Sequence, residues 1–262
     1  MIKNKKIDNG SSFDFGMVSQ DYARYRDIYP ESFYNRIYEL GFYHKSQKLM
    51  DIGTGSGVLP RKMYKYGAEI IAADISKNQI KYAESVSKKE NMNIAYIVGS
   101  DVDLEFNKNT FDAITACQCY FYFDHMTFAE KSSYWLKSGG KLGVFYMGWL
   151  SDEDKTAHMS EQLIRKFNPK WNGYGDYRHK ILLPDIYNRY YEIEDNEIFD
   201  VEIPFTRENW NGRIKACRGI GASLSAPKVK DFEAEHMRML EKTTPEKFFV
   251  KHYCAILSLK KK

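Results

Sequence analysis

Three glycines stand at alternating positions, in an arrangement suited to holding a ligand against bare backbone. Residues 49–59 read LMDIGTGSGVL, so an apolar stretch ends at Asp51 and runs into Gly53, Gly55 and Gly57. Glycine adopts positive φ and has no Cβ, so such a turn brings main-chain amides close to a ligand at a helix start. The spacing differs from the dinucleotide fingerprint G-x-G-x-x-G, whose third glycine comes one place later.

An acidic residue closes the next apolar stretch. Residues 69–74 read EIIAAD and end in Asp74. At the end of a second strand, a carboxylate can bind the two hydroxyls of a ribose. The glycine turn and Asp74 together predict a nucleoside ligand.

These residues resemble the first two motifs of the class I S-adenosylmethionine-dependent methyltransferases, a D/E-x-G-x-G-x-G turn and an acidic strand end. Three later stretches are similar to the family's third to fifth landmarks: VGSD at 98–101, FDAITA at 111–116 and LKSGGKL at 136–142. The family usually has Pro where Ser138 stands. The likeness is close over 40–150 and points to the methyltransferase type 11 group.

The resemblance implies S-adenosylmethionine as cofactor, S-adenosylhomocysteine as product and direct transfer without a metal. It implies Gly53 and Gly55 along the methionine part, Asp74 on the ribose and Asp101 near the adenine amine, with Asp51 ordering the turn. The cofactor-binding residues that it implies in this part of the chain are Asp51, Gly53, Thr54, Gly55, Asp74, Ile75, Gln79, Ser100, Asp101, Val102, Cys117 and Gln118.

The segment 21–30, DYARYRDIYP, is similar to the Y-x-x-Y-R-P-x-Y-P entry of small-molecule methyltransferases related to trans-aconitate methyltransferase. Asp27 stands where a proline is common there. The resemblance implies that Tyr22 and Arg26 help to seal the cofactor, the arginine holding its carboxylate by a forked pair. The alternative is a surface helix with ordinary cationic residues.

Candidate catalytic residues follow the predicted fourth strand, in CQCYFYFDH at 117–125. The Asn/Asp-Pro-Pro-aromatic tetrapeptide of base-amine methyltransferases is absent from this stretch. Methylation of DNA amines is therefore disfavoured. His125 is a candidate general base near neutral pH, with Tyr122 beside it, although a histidine that opens a helix can also be a simple cap residue.

A candidate anion site lies in 205–225, where a helix over 208–218 would place Arg213 and Arg218 on either side of Trp210. A solvated basic face is the alternative. The predicted substrate-binding residues are Trp149, Arg178, His179, Trp210, Arg213 and Arg218.

Composition limits the remaining possibilities. The chain has 262 residues, 43% of them hydrophobic, and a formal charge of +4. The four cysteines show no disulfide or zinc spacing. No apolar run of about 18 residues and no signal peptide is evident. We expect a cytoplasmic monomer or homodimer with a small-molecule substrate, no nucleic acid and no membrane.

Alternating strands and helices must position these residues. We predict strands near 47–52, 69–74, 94–99, 111–117, 141–147, 197–204 and 247–258, and helices near 30–41, 56–66, 77–88, 126–137, 154–167 and 184–191. The expected fold is α/β: a Rossmann-like seven-stranded, mostly parallel sheet with helices on both faces and the last strand inserted antiparallel. Residues 1–150 and 195–262 form the predicted methyltransferase domain, and 151–194 form a helical lid inserted after the fifth strand.

The sequence thus predicts methyl transfer to a small anionic metabolite. An RNA or protein methyltransferase and a non-catalytic S-adenosylmethionine-binding protein are the alternatives.

Overall fold

The computed structural model describes residues 7–18, 24–25, 28–175 and 178–262. Its strands are β1 Lys48–Ile52, β2 Glu69–Asp74, β3 Ala95–Val98, β4 Phe111–Cys117, β5 Leu136–Trp149, β6 Tyr191–Thr206 and β7 Lys247–Lys261. Its α-helices are α1 Glu31–Glu39, α2 Val58–Met63, α3 Lys77–Lys89, α4 His125–Trp135, α5 Lys155–Phe167, α6 Arg207–Lys215 and α7 Ala226–Thr243.

The seven strands form one sheet in the order β3-β2-β1-β4-β5-β7-β6. Strands β1 to β5 pair in parallel, which requires crossover connections. Helices α2, α3 and α4 lie in the connections β1–β2, β2–β3 and β4–β5, and a loop connects β3 to β4. The strand order reverses between β1 and β4, because β2 and β3 lie on one side of β1 and the later strands lie on the other. The carboxyl ends of β1 and β4 therefore form a topological switch point, where ligands bind in such sheets. The predicted mostly parallel seven-stranded sheet is confirmed.

Several elements differ from the sequence prediction, and one of them is β6, which begins at Tyr191 and not near residue 197. Strand β5 begins five residues earlier than expected, because Leu136 pairs with Phe111 before a register shift. Residues 185–189 form a 3₁₀ turn instead of an α-helix. Helix α7 was not predicted, although it has a proline in its first turn and buries Phe232, His236 and Leu240 at four-residue spacing.

The chain divides into two compact units. One, here called the helical unit, comprises Met1–Tyr29, Gly148–Arg178 and Asp200–Tyr253 and contains α5 to α7. The other, the glycine-loop unit, comprises Pro30–Met147, His179–Phe199 and Cys254–Lys262. The predicted insertion 151–194 does not coincide with either unit, because 151–178 belong to the first and 179–194 to the second.

The helices in the described part of the chain are each too short or too polar to span a membrane.

Candidate functional site

The glycine turn follows β1 in the glycine-loop unit and has the left-handed backbone that its sequence predicts. Gly53, Gly55 and Gly57 have φ of 67°, 57° and 76°. A Cβ on Gly53 would lie 2.6 Å from the Cβ and Sγ of Cys119. Position 53 therefore requires glycine both for its backbone conformation and for close packing.

The carboxylate of Asp74 is held beside this turn. Its Oδ2 accepts a hydrogen bond from the amide of Gly55 at 2.8 Å, and its Oδ1 accepts one from the amide of Ser76 at 2.8 Å. Burial raises the pKa of Asp74, while the two amide hydrogen bonds act in the opposite direction. Each carboxylate oxygen can accept further hydrogen bonds, so the group fits a pair of vicinal hydroxyls.

The loop after β3 carries the predicted adenine contacts. Oδ2 of Asp101 accepts a hydrogen bond from the amide of Asp124 at 2.7 Å. The side chains of Ile75 and Val102 are 51% and 43% exposed although they are apolar. Exposed apolar side chains beside a carboxylate suit a planar base with an exocyclic amine. Ser100 donates its hydroxyl hydrogen bond to Asp103 at 2.5 Å.

Helix α4 holds this loop at a second point through Lys131, which the sequence analysis did not identify. Nζ of Lys131 lies 2.6 Å from the carbonyl oxygen of Val102 and 3.0 Å from that of Leu104, and it pairs with Glu105 at 2.7 Å. No motif in the sequence marks this lysine, since its acceptors are main-chain oxygens far away in the chain.

Asp51 lies beneath the glycine turn in a buried polar cluster. The hydroxyl of Thr115 donates to Oδ1 of Asp51 at 2.7 Å, and the hydroxyl of Tyr43 lies 3.0 Å from that of Thr115. Burial raises the pKa of Asp51 to about 6. These partners suit the role of ordering the turn. Thr115 and Tyr43 carry no motif that sequence reasoning could have used.

The residues after β4 are tied to the strands on either side. Gln118 has a φ of 63°, and its Nε2 donates to the carbonyl oxygen of Met147 at 2.6 Å. The thiol of Cys119 lies 3.2 Å from the carbonyl oxygen of Ile52, and burial raises its pKa well above the usual range. Cys119 is therefore a packing residue and not a thiolate nucleophile. Cys117, at the end of β4, is half-buried.

Two further predicted cofactor residues, Gln79 and Thr54, also lie in the glycine-loop unit. Gln79 is buried on α3, and its main-chain amide donates to the hydroxyl of Ser76, which caps the helix. Thr54 lies in the glycine turn, where its amide donates to the carbonyl oxygen of Ala73 at 2.9 Å. Tyr22 and Arg26 lie outside the described residues.

The two candidate catalytic residues lie on either side of the start of α4. Nδ1 of His125 is 3.1 Å from the hydroxyl of Tyr187, and burial raises the pKa of that phenol, so it stays protonated. The main-chain amide of the preceding residue, Asp124, donates to Asp101, so the start of α4 adjoins the predicted adenine loop. Tyr122 is half-buried in a 3₁₀ turn, with its ring 6.2 Å from that of Phe121.

Three of the predicted substrate-binding residues come together in the helical unit. The guanidinium of Arg213 lies 5.0 Å from the ring centre of Trp149, and Trp210 packs edge-on against the same ring at 5.8 Å. Arg213 is 4% exposed. Nε1 of Trp149 donates to Glu161 at 2.7 Å. This cluster is a buried cation among aromatic rings.

The other three predicted substrate-binding residues have different surroundings. Arg178 pairs with both Glu153 and Asp200, and these hydrogen bonds raise its pKa. Arg218 pairs with Asp8 at 2.9 Å. His179 belongs to the glycine-loop unit, where its ring lies 6.2 Å from that of Tyr146.

Comparisons with known proteins match the part of the chain that contains these residues. A family model described as a methyltransferase domain matches residues 50–144, which span the glycine turn, Asp74 and the residues after β4. The ubiquinone biosynthesis O-methyltransferase of Pelagibacter ubique is 35% identical over 128 residues, covering 48% of this chain and 52% of that protein. The chain therefore matches about half the length of this relative.

Solved structures share the fold at low sequence identity. The YcgJ protein of Bacillus subtilis is 17% identical with a TM-score of 0.54, over 89% of this chain and 100% of that one. The [4+2]-cyclase SpnF is also 17% identical, with a TM-score of 0.53 over 88% of this chain and 81% of that one.

The sheet order and the matching domain model define an α/β protein that contains a methyltransferase domain. Residues 50–144 belong to the class I S-adenosylmethionine-dependent methyltransferase domains, whose cofactor is S-adenosylmethionine.

Proposed function

We propose that the protein transfers a methyl group from S-adenosylmethionine to a small anionic metabolite. The observation that carries the cofactor part is the Asp74 carboxylate, which the amides of Gly55 and Ser76 hold at the edge of the glycine turn. The two hydroxyls of a nucleoside ribose can donate hydrogen bonds to this carboxylate, and the exposed apolar side chains of Ile75 and Val102 suit its base.

When bound, the cofactor supplies a methyl group on a sulfonium with a good leaving group. The chain's own residues then need to bind, align and exclude water. The methionine part is proposed to lie along the backbone of Gly53 and Gly55. His125 and Tyr122 are the proposed catalytic residues for an acceptor that has to lose a proton.

Calorimetry tests the cofactor part. We expect S-adenosylhomocysteine to bind with a free energy of about −8 kcal/mol or better, and NAD to show no binding. Asp74→Ala should weaken binding by about 1.5 to 3 kcal/mol through the lost charged hydrogen bonds.

Asp112→Ala is the matched control, because Asp112 also accepts a main-chain hydrogen bond, from Lys48 at 2.8 Å, but lies at the start of β4. It should leave the affinity unchanged. Binding of NAD without binding of either sulfur nucleoside would end this proposal.

We propose that Arg213 recognises the anionic group of the acceptor. The position of its guanidinium over Trp149 supports this, because a cation among aromatic rings is strongly attracted to an anion in water-poor surroundings. Arg213→Ala should raise the KM of the acceptor and leave cofactor affinity nearly unchanged, with partial rescue by Arg213→Lys.

Arg178→Ala is the comparison variant, because Glu153 and Asp200 already neutralise that arginine. The acceptor itself would be found by methyl labelling of a metabolite extract. An unchanged KM in Arg213→Ala would argue against an anionic acceptor.

Labelling of RNA or protein instead of metabolites would favour the alternative substrates. Binding without any turnover would favour a non-catalytic role, or another chemistry on this fold of the kind that the name of SpnF indicates for that protein. We further propose a cytoplasmic location, a monomer or homodimer, and a substrate-side role for 151–194.

A further inference from the structure

Arg218 of the helical unit holds a carboxylate that the chain itself supplies. Its Nε lies 2.9 Å from Oδ2 of Asp8, and Oδ1 of Asp8 accepts a hydrogen bond from the main-chain amide of Asn172 at 3.0 Å. Oδ1 of Asn172 accepts hydrogen bonds from the amide of Asp8 and from Nη2 of Arg218, both at 3.2 Å. Asp8 is 2% exposed, so this carboxylate is shielded from water.

The surroundings of Arg218 are shaped to admit its guanidinium. A Cβ on Gly173 would lie 3.0 Å from Nη2 of Arg218 and 2.7 Å from Nε1 of Trp171. The ring of Phe13 faces the guanidinium from 5.8 Å. A side chain at position 173 would therefore collide with Trp171 and crowd Arg218.

The carboxylate of Asp8 has the charge that this site requires, but its backbone and its alignment with Arg218 are unfavourable. Asp8 and Asn9 are successive non-glycine residues with φ of 47° and 53°, a strained backbone for both. Within the described part of the chain, Oδ2 of Asp8 and Nε of Arg218 make no well-aligned hydrogen bond although they are 2.9 Å apart. A carboxylate that is not attached to this backbone could align both oxygens with the guanidinium fork.

We propose that Arg218 and the main-chain amide of Asn172 form a carboxylate-binding site, which Asp8 fills in the described conformation. The carboxylate of a small molecule exchanges with Asp8 at this site. The inference goes beyond the proposed function, because this site and its exchange need no methyl donor.

Chemical rescue tests the site. Asp8→Ala removes a group close in size and charge to acetate, so acetate should bind in its place. In thermal unfolding, sodium acetate should raise the Tm of Asp8→Ala by about 2 to 4 °C over sodium chloride at equal ionic strength, with no such rise in the wild type.

Three variants serve as controls. Asp8→Asn keeps the volume filled, Asp8→Ala with Arg218→Gln lacks the cation, and Asp14→Ala removes another carboxylate of the same segment, which accepts a hydrogen bond from the amide of Gly16. None should respond to acetate. Equal acetate shifts in Asp8→Ala and Asp14→Ala, or no shift in either, would overturn the site.

Hydrogen exchange on the wild type tests the exchange with Asp8 and needs no variant that might misfold. Succinate, a dicarboxylate probe, should accelerate amide exchange over residues 8–14 several-fold, including at Asp14, whose amide donates to Ala222. If the exchange rates stay constant as succinate is added, Asp8 remains bound to Arg218 and the proposed exchange is wrong. Both measurements omit the methyl donor, so a failure of cofactor binding leaves their outcome unaffected.

Discussion

The hydroxyl of Thr115 on β4 donates a hydrogen bond to the buried carboxylate of Asp51 on β1, across 2.7 Å. The two residues are register partners on adjacent parallel strands. The pair therefore fixes the end of β1 at the point where the glycine turn begins.

Removing the hydroxyl of Thr115 should destabilise the fold. Thr115→Val leaves a buried oxygen of Asp51 without its donor, so the free energy of unfolding should fall by about 1 to 3 kcal/mol. Urea denaturation measures this loss. Thr115→Ser retains the hydroxyl and should lose less, and equal stability of the valine variant and the wild type would contradict the role of the hydrogen bond.

Stability should fall as the pH is lowered from 7 to 4. Burial lowers the pKa of His236 and His252 to about 3 in the folded protein, whereas unfolded histidine titrates near 6.5. Between these values the unfolded chain binds more protons, so each histidine costs about 1.4 kcal/mol of stability per pH unit. Asp51 acts in the opposite direction, because its folded pKa of about 6 exceeds the unfolded value of 3.8.

His236→Gln should reduce the loss of unfolding free energy on acidification by the contribution of one histidine, about 1.4 kcal/mol per pH unit. Urea denaturation at pH 7, 6 and 5 provides the comparison. His158→Gln, on an exposed position of α5, is the control. Parallel curves for His236→Gln and the wild type would show that His236 does not stay neutral in the fold.

Lys131→Ala should weaken binding of S-adenosylhomocysteine about 3- to 10-fold, because the ammonium no longer holds the carbonyl oxygens of Val102 and Leu104. Calorimetry gives the affinity. Lys137→Ala removes a salt bridge to Asp112 in the same unit and should have no such effect. If both lysine variants bind equally well, Lys131 does not position the loop.

Gly212→Ala should destabilise the helical unit although alanine favours helices. The new Cβ would lie 2.5 Å from the ring of Tyr25, and overpacking costs about 1 to 3 kcal/mol against a gain of about 1 kcal/mol in helix propensity. The free energy of unfolding should fall by the difference, up to about 2 kcal/mol.

A second substitution identifies the cause. Tyr25→Ala added to Gly212→Ala removes the ring from the collision, so the cost of the alanine should disappear in a double-mutant cycle. Asn209→Ala, at an exposed position of the same helix, is the propensity control. An unchanged cost in the Tyr25→Ala background would exclude this collision.

Local patterns in the sequence determined the positions of strands β1 to β4 in the glycine-loop unit. Left-handed glycines, the acidic end of β2 and the alternation of strands with helices are short-range properties, because each depends on residues adjacent in the chain. They predicted β1 to β4 to within one residue at either end.

Only the tertiary structure decided which charges meet. Arg178, Arg213 and Arg218 looked alike as candidate anion-binding residues, yet two are paired with carboxylates and one lies over Trp149. The pairing of Arg218 with Asp8 joins residues far apart in the chain. Lys131 binds main-chain carbonyl oxygens, and because every residue has one, the sequence does not mark these acceptors. Periodicity reports which face of an element is buried, but it does not report which partner that face meets.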